Sequence, residues 1–219
     1  AGHNNILAPK NSGTATAPIT FRAAERHTAR LAGTSGADRA IVLDGVSHIR
    51  LEGLYVYPSS PRGLWLFAKN AKDIHLTDMH MERSRDAVDG TPFLISDSED
   101  IFVRDSTLKK SPFNMAVIQR SSRVLFEGNA ISYAGHSPLQ FYDGGDAERV
   151  YNSEIVVRGN VFNPTWGRAF ELLTARNVLF ENNIIIHSLH GGRSASEAAQ
   201  PNAFSAIYRF NRVFRNWGN

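Results

Sequence analysis

One short pattern recurs along the whole chain: an apolar residue, any residue, another apolar residue, and then a polar turn. It starts at residues 49, 74, 101, 124, 155 and 178, so that neighbouring copies are 23 to 31 residues apart. Alternation of apolar residues over three positions is typical of a β-strand, because alternate side chains of a strand share one face. A fixed period of this length predicts a solenoid, in which each repeat packs only on its neighbours.

A second apolar alternation precedes each copy, and a further apolar residue follows it, so that each repeat supplies three short strands. The competing architecture is a helical solenoid, which requires stretches of ten or more residues with a period of 3.6. Only residues 195–199 look helical. The sequence therefore predicts an all-β fold, a parallel β-solenoid with three strands per coil and about seven coils.

One corner of the predicted coil carries an asparagine in three successive repeats, at Asn129, Asn160 and Asn183. A side-chain amide can both donate to and accept from its copy one coil away, roughly 4.8 Å along the stack. These residues predict an asparagine ladder. The residue before each of them suits a left-handed backbone: Gly128, Gly159 and Asn182.

These segments resemble the pectin-lyase-like superfamily of right-handed parallel β-helices, from about residue 15 to the end. Residues 13–24 and 41–54 look like the first coils of many secreted members. The resemblance implies a right-handed helix and a secreted or cell-surface location. It implies little about chemistry, since one fold hosts many functions.

Composition excludes several classes of protein. The net charge of +3 is mild, and the longest run of lysine and arginine is residues 109–110, so we expect no nucleic-acid partner. There is no apolar run long enough for a membrane span. Cysteine is absent, which excludes disulfides and thiolate metal sites. We expect one domain over residues 1–219, and we expect it to be part of a longer chain, because neither end resembles a solenoid cap.

The loops that return from the third strand to the first vary most in length, and they border the outward face of the first strand. A groove there suits an acidic polysaccharide, since aromatic rings stack on sugars and arginine grips uronate carboxylates. Eliminating or epimerising a uronate requires a neutralised carboxylate and a base. The candidate catalytic residues are His136, Tyr142, Arg168 and His187. The candidate substrate-binding residues are Lys110, Arg120, Trp166, Glu171, His190 and Arg193.

One corner is about eight residues longer than its counterparts and combines glycines with acids. Asp143 and Asp146 lie in it, and carboxylate oxygens are the ligands that Ca²⁺ prefers. This corner is therefore the candidate calcium site.

A weaker resemblance is to the alginate lyase and chondroitinase B family of β-helix lyases. That family has a lysine just after one first strand, and an arginine followed by histidine just after the next. Here Asp97 and Ser98 stand where the lysine is expected, and Arg120 is followed by Ser121. The resemblance implies elimination of a uronate, with Arg120 at the place of the family's arginine.

Two other functions remain open. A glycoside hydrolase needs paired carboxylates, whereas Glu171 is the one acid predicted to point outward from a first strand. A non-catalytic binding, adhesive or assembly module is favoured by an outward apolar stripe on four consecutive second strands. Its members are Phe102, Leu125, Val156 and Leu179. Either a second copy of the chain or a covering segment would pack on it.

Overall fold

The computed structural model describes residues 6–33, 39–58, 64–83, 91–142, 152–164, 167, 170–187 and 204–214. The regular elements of these residues are β-strands, which form three parallel sheets. Each strand pairs with the strand that occupies the same place one repeat away, so the chain winds as a three-sided solenoid.

The first sheet contains β3 (Arg39–Asp44), β6 (Leu64–Lys69), β9 (Phe93–Ser96), β12 (Ala116–Gln119), β15 (Leu139–Tyr142) and β18 (Phe170–Leu172). The second contains β1 (Ile19–Arg22), β4 (Ser47–Glu52), β7 (Lys72–Thr77), β10 (Glu99–Arg104), β13 (Ser122–Glu127), β16 (Asn152–Arg158), β19 (Ala175–Glu181) and β21 (Phe204–Arg209). The third contains β2 (Arg30–Leu31), β5 (Tyr55–Val56), β8 (His80–Glu82), β11 (Thr107–Ser111), β14 (Ala130–Ala134), β17 (Val161–Phe162), β20 (Ile184–Ile186) and β22 (Arg212–Phe214).

The predicted all-β parallel helix with three strands per coil is confirmed. Six consecutive coils contribute all three strands among the described residues, slightly fewer than the seven predicted. Partial turns precede and follow them, formed by β1 and β2 and by β21 and β22.

The core is built from vertical columns of inward side chains. Phe126 lies beside Val157, and Val157 beside Phe180, on three neighbouring strands of the second sheet. All three are at most 2% exposed. Burying a side chain of this size contributes about 1.5–3 kcal/mol, so repetition of the column stabilises every coil by the same means. The repeat therefore fixes a rigid scaffold whose outward residues are free to differ.

The asparagine ladder is confirmed, and the structure extends it by one rung. Asn129 Nδ2 donates to Asn160 Oδ1 (2.9 Å), Asn160 Nδ2 to Asn183 Oδ1 (3.0 Å), and Asn183 Nδ2 to Asn211 Oδ1 (3.0 Å). The preceding residues have the expected left-handed backbone, with φ of 67°, 64° and 53° at Gly128, Gly159 and Asn182. Because these amides are buried, the ladder satisfies polar groups that would otherwise be costly.

A second polar ladder, which the repeat pattern alone did not indicate, runs along the corner between the first and second sheets. The Ser98 amide donates to Ser121 Oγ (3.1 Å), and the Ser121 amide donates to Asn152 Oδ1 (3.0 Å). Two of the three corners of the solenoid are thus held by side chains that bond from coil to coil.

Asp73 is a half-buried acidic hub near the start of the second sheet. Asp73 accepts hydrogen bonds from His48 Nδ1 (2.7 Å), Arg50 (2.8 Å) and His75 Nε2 (2.9 Å). Burial alone would raise the pKa of Asp73, but the hydrogen bonds from Arg50, His48 and His75 outweigh it and lower that pKa to about 2. The Asp73 carboxylate, which joins side chains of β4 and β7, therefore stabilises the second sheet.

Candidate functional site

The outward face of the first sheet changes character along the stack. Its central column is apolar through four strands, at Val42, Phe67, Leu94 and Val117, and continues with Gln140 and Glu171 on the next two. The change occurs between β12, which carries Val117, and β15, which carries Gln140. In this column, polar side chains therefore occur only on the last two described strands, β15 and β18.

Four polar side chains meet there in one network. His136 Nδ1 lies 2.9 Å from Asn114 Oδ1, Asn114 Nδ2 donates to Gln140 Oε1 (2.8 Å), and Gln140 Nε2 donates to Glu171 Oε2 (2.7 Å). Asn114 and Glu171 are buried, at 2% and 4% exposure. His136 Nδ1 also lies 3.8 Å from Glu171 Oε2. The buried end of the network is a carboxylate and the accessible end is an imidazole.

The network has a direction, which Glu171 sets. A carboxylate only accepts hydrogen bonds, so Gln140 must turn its Nε2 towards Glu171 and its Oε1 towards Asn114. Asn114 then donates through Nδ2 and presents Oδ1 to the imidazole. A carbonyl oxygen cannot donate, so the proton of neutral His136 resides on Nδ1. The lone pair is therefore on Nε2.

Stacked loops hold His136 in place. The Phe113 ring lies 4.9 Å from the His136 ring, centroid to centroid, at an interplanar angle of 15°. On the opposite side, a Cβ added at Gly167 would be 2.1 Å from the His136 carbonyl oxygen, so a glycine is required there. The Ser137 amide also donates to Asn114 Oδ1 (3.2 Å), which fixes that amide from the backbone side.

A histidine with its tautomer fixed by a neighbour and a carboxylate nearby can act as a general base. In that role Nε2 would be the atom that takes the proton, while Nδ1 faces Asn114 and lies 3.8 Å from the Glu171 carboxylate. The His136 side chain is 37% exposed, so a ligand can reach it. Of the predicted site residues, the structure brings His136 and Glu171 together.

Tyr142 lies on the same sheet, at the end of β15, where it faces outward two positions after Gln140. His187 lies elsewhere, at the end of the third sheet, with Nδ1 3.2 Å from Asn163 Oδ1. Lys110 is on the third sheet as well, where its Nζ pairs with Glu82 Oε1 at 2.5 Å. These three residues are therefore not members of the His136 network.

Arg120 is engaged at the corner after β12. Its Nε and Nη2 donate to the two carboxylate oxygens of Asp97, at 2.6 and 2.9 Å, and Nη2 also reaches Ser96 Oγ (3.0 Å). These bonds from Arg120 lower the pKa of Asp97. The bidentate pair gives Arg120 a structural partner in the preceding coil, so binding a substrate would require it to share or exchange that partner.

Six predicted residues lie outside the described residues: Trp166, Arg168, His190, Arg193, Asp143 and Asp146. Their roles stay predictions, as does calcium. No group of three or more metal-ligating side chains occurs in the described ranges.

The apolar stripe on the second sheet has the predicted register, since Phe102, Leu125, Val156 and Leu179 are successive partners. Arginine side chains and neighbouring strands already cover part of it. The Arg104 guanidinium lies 5.1 Å from the Phe102 ring centroid, and Leu125 is only 8% exposed. What else packs on this stripe stays a prediction.

Sequence reasoning missed Phe113 and Asn114, because loop residues carry no strand pattern. The signal that would have found them is the repeat itself. Residues 113 and 114 precede residues 136 and 137 by 23 positions, which is the spacing of the strands on either side. Equivalent loop positions stack, so each residue of a loop predicts a neighbour one repeat away.

Comparison with known families agrees with this architecture. The family described as right-handed beta helix region matches residues 39–199, and the chain belongs to it. Comparison with curated proteins gives no significant match. No helix suited to crossing a membrane is found in the described part of the chain.

Among solved structures, an alginate lyase from Paenibacillus sp. str. FPU-7 is similar with a TM-score of 0.70 and 14% identity, covering 97% of this chain and 87% of that one. At this identity the similarity shows the fold alone. The Streptococcus pneumoniae surface protein and adhesin PfbA has a TM-score of 0.45 and 11% identity, with 83% of this chain and 62% of that chain covered. A lacto-N-biosidase from Eubacterium ramulus has a TM-score of 0.38 and 11% identity, with 96% and 60% covered.

Proposed function

We propose that the protein acts outside the cell on an acidic, uronate-containing polysaccharide, by elimination or epimerisation, with His136 as the base. The observation that carries this proposal is the hydrogen-bonded network of Glu171, Gln140, Asn114 and His136. This network, or relay, leaves the Nε2 lone pair of His136 available. The fold similarity to an alginate lyase is consistent with it.

The reaction begins when Nε2 of His136 removes the proton from the carbon next to the uronate carboxylate. In elimination, the electron pair of that C–H bond forms a carbon–carbon double bond, and the glycosidic oxygen leaves and takes up a proton. In epimerisation, a proton returns to the same carbon from the other face. Both reactions build negative charge on the carboxylate, so a cation must neutralise it.

Residues outside the network are assigned as follows. Arg168 is our candidate for neutralising the uronate carboxylate, and Trp166 for stacking on a sugar ring. Tyr142, which faces outward beside the network, is our candidate for a second acid or base group. Asp143 and Asp146 would supply carboxylate ligands if the neutralising cation is Ca²⁺.

The test is to incubate the protein with alginate, pectate and glycosaminoglycans, with Ca²⁺ or with chelator, and to follow the absorbance of new unsaturated ends. Epimerisation is followed by NMR of the same polymers. We expect His136→Ala to lower the rate by about 10²–10⁴, the usual contribution of a positioned base. His187→Ala is the matched control and should retain activity. Absence of both reactions on every polymer would reject the proposal.

A hydrolase is less well supported. In the described strands of the first sheet, the carboxylates are Asp44 on β3 and Glu171 on β18, five strands apart. At about 4.8 Å per strand this separates them by roughly 24 Å, whereas an inverting pair needs about 6.5–9.5 Å. New reducing ends without new absorbance would favour the hydrolase.

An assembly module is the second candidate, because the apolar stripe of the second sheet continues to Ile207, which is 56% exposed. Ion pairs border it, with Glu127 between Arg104 (3.1 Å) and Arg158 (2.7 Å). Size-exclusion chromatography with light scattering tests this candidate. A dimer that Ile207→Lys dissociates would support it, and a monomer at all concentrations would remove its basis.

A further inference from the structure

A second cluster of sugar-binding type lies on the outward face of the third sheet, near the start of the solenoid. Its aromatic part is a group of contacting rings. The Tyr55 ring lies 4.9 Å from His80, edge to face, and 6.1 Å from Tyr57. The His80 ring in turn lies 5.6 Å from His27. The rings come from successive coils, since Tyr55 and His80 are register partners on β5 and β8.

Charged groups adjoin these rings. Glu82 accepts from Lys110 Nζ (2.5 Å) and lies 3.2 Å from His80 Nε2. The Arg30 guanidinium lies 5.3 Å from the Tyr55 ring centroid. A carboxylate and an ammonium beside an aromatic face supply the acceptor and the donor that neighbouring sugar hydroxyls require.

The cluster is open to a ligand on one side. Tyr57 is 38% exposed and the Lys110 side chain is 45% exposed, whereas the Glu82 side chain is only 16% exposed. A partly buried carboxylate with exposed groups around it is oriented before a ligand arrives, which lowers the entropic cost of binding.

The cluster is continuous with the first site. Lys110 lies at the end of β11, three residues before Phe113, whose ring stacks on His136. The aromatic cluster and the His136 network therefore lie along the same corner of the solenoid, at different heights. Successive coils are about 4.8 Å apart, so a polymer that runs along this corner meets the side chains of a new coil at that interval.

We propose that Tyr55, Tyr57, Glu82 and Lys110 form a distal subsite that binds one end of an acidic polysaccharide whose other end reaches His136. A sugar ring stacks on Tyr57, its hydroxyls bond to Glu82 and Lys110, and its carboxylate faces the cationic side chains. The polymer's identity as acidic rests on the proposed function.

The local charge favours an anionic sugar. Lys109 is the register partner of Glu82, and Arg26 pairs with Asp78 beside His27. Among the described residues of the cluster, the cations Arg26, Arg30, Lys109 and Lys110 therefore outnumber the carboxylates Glu82 and Asp78. Burial would raise the pKa of Glu82, but its bonds with Lys110 and His80 outweigh this and lower that pKa. The Glu82 carboxylate thus stays charged at neutral pH, and the cluster still keeps a net positive charge. Binding of an anionic sugar should therefore weaken with added salt.

The experiment measures binding of an alginate hexasaccharide by calorimetry, in the His136→Ala background so that turnover during the titration is slow. Tyr57→Ala and Lys110→Met should each weaken binding about tenfold, as expected for a central aromatic or charged contact. Val161→Ala, an exposed position farther along the same sheet, is the matched control and should bind as the parent does. Circular dichroism and melting temperature establish that each variant is folded, and Glu82→Gln provides a nearly isosteric second test.

The outcomes separate the two proposals. Unchanged affinity in Tyr57→Ala, Lys110→Met and Glu82→Gln, with the parent still binding, overturns the distal subsite and leaves the His136 proposal intact. Equal affinity for a neutral cellohexaose overturns the anionic preference. If the parent binds no acidic oligosaccharide at all, the proposed function fails and the subsite fails with it.

Discussion

Two halves of the same sheet face show how this solenoid separates stability from chemistry. In the first half the outward column of the first sheet is apolar, from Val42 on β3 to Val117 on β12. In the second half the same column carries Gln140 and Glu171, and these join a hydrogen-bonded relay to His136. The inward columns stay apolar and buried in both halves. A continuous apolar core therefore permits a local change of surface chemistry without a change of fold.

The largest effect should come from erasing the difference between the halves. Gln140→Val gives the second half the character of the first and leaves Asn114 and Glu171 without their central partner. We expect a loss of about 2–3 kcal/mol in unfolding free energy, because two buried polar groups lose a hydrogen bond. Activity should fall, by up to roughly 100-fold, because Asn114 loses its bond to Gln140 and only the Ser137 amide still orients the oxygen that faces His136. Urea unfolding and initial rates on the active polymer measure both.

The next effect concerns the loop that supports His136. Gly167→Ala places a methyl group against the His136 carbonyl, so the loop must move. Overpacking of this kind costs about 1–3 kcal/mol, and a displacement of about 1 Å in a catalytic group can cost 10²-fold in rate. Gly45→Asn is the control. Gly45 has a left-handed φ of 66°, and a Cβ added there meets no atom within 4 Å, so this variant should keep the activity of the parent. A rate in Gly167→Ala equal to that of the parent would show that this contact does not position His136.

A smaller effect tests the claim that the half-buried charge of Asp73, on the second sheet, serves stability. The pKa of Asp73 is lowered to about 2 from 3.8, so its contribution is complete above pH 4 and is lost as the pH falls towards 2. The shift corresponds to about 2 kcal/mol at most. The difference in unfolding free energy between the parent and Asp73→Asn should therefore shrink over that range. A difference that is independent of pH would contradict the assigned pKa.

The smallest effect should come from the converse substitution. Val117→Gln places an amide one coil before Gln140, in the apolar half. Val117 is 7% exposed, and we expect a cost of about 1 kcal/mol with little change in activity, since His136 keeps its relay. A large loss of activity would mean that the apolar half takes part in the reaction.

Much of the fold was predictable because it is periodic. The inward column of Phe126, Val157 and Phe180 and the ladder of Asn129, Asn160 and Asn183 both follow from alignment of the repeats. The site was predictable only in part. His136 and Glu171 were identified as separate candidates, but their connection depends on Asn114, whose loop position carries no hydrophobic signal. Side-chain networks across coils depend on rotamers and on loop stacking, which a strand pattern does not encode.

The protonation site of His136 tests the central claim most directly. Nitrogen-15 NMR of the imidazole distinguishes the two neutral tautomers. The relay predicts that the neutral imidazole carries its proton on Nδ1 and leaves Nε2 unprotonated, and that Gln140→Val weakens this preference. A proton on Nε2 in the parent protein would contradict the relay and the assignment of His136 as the base.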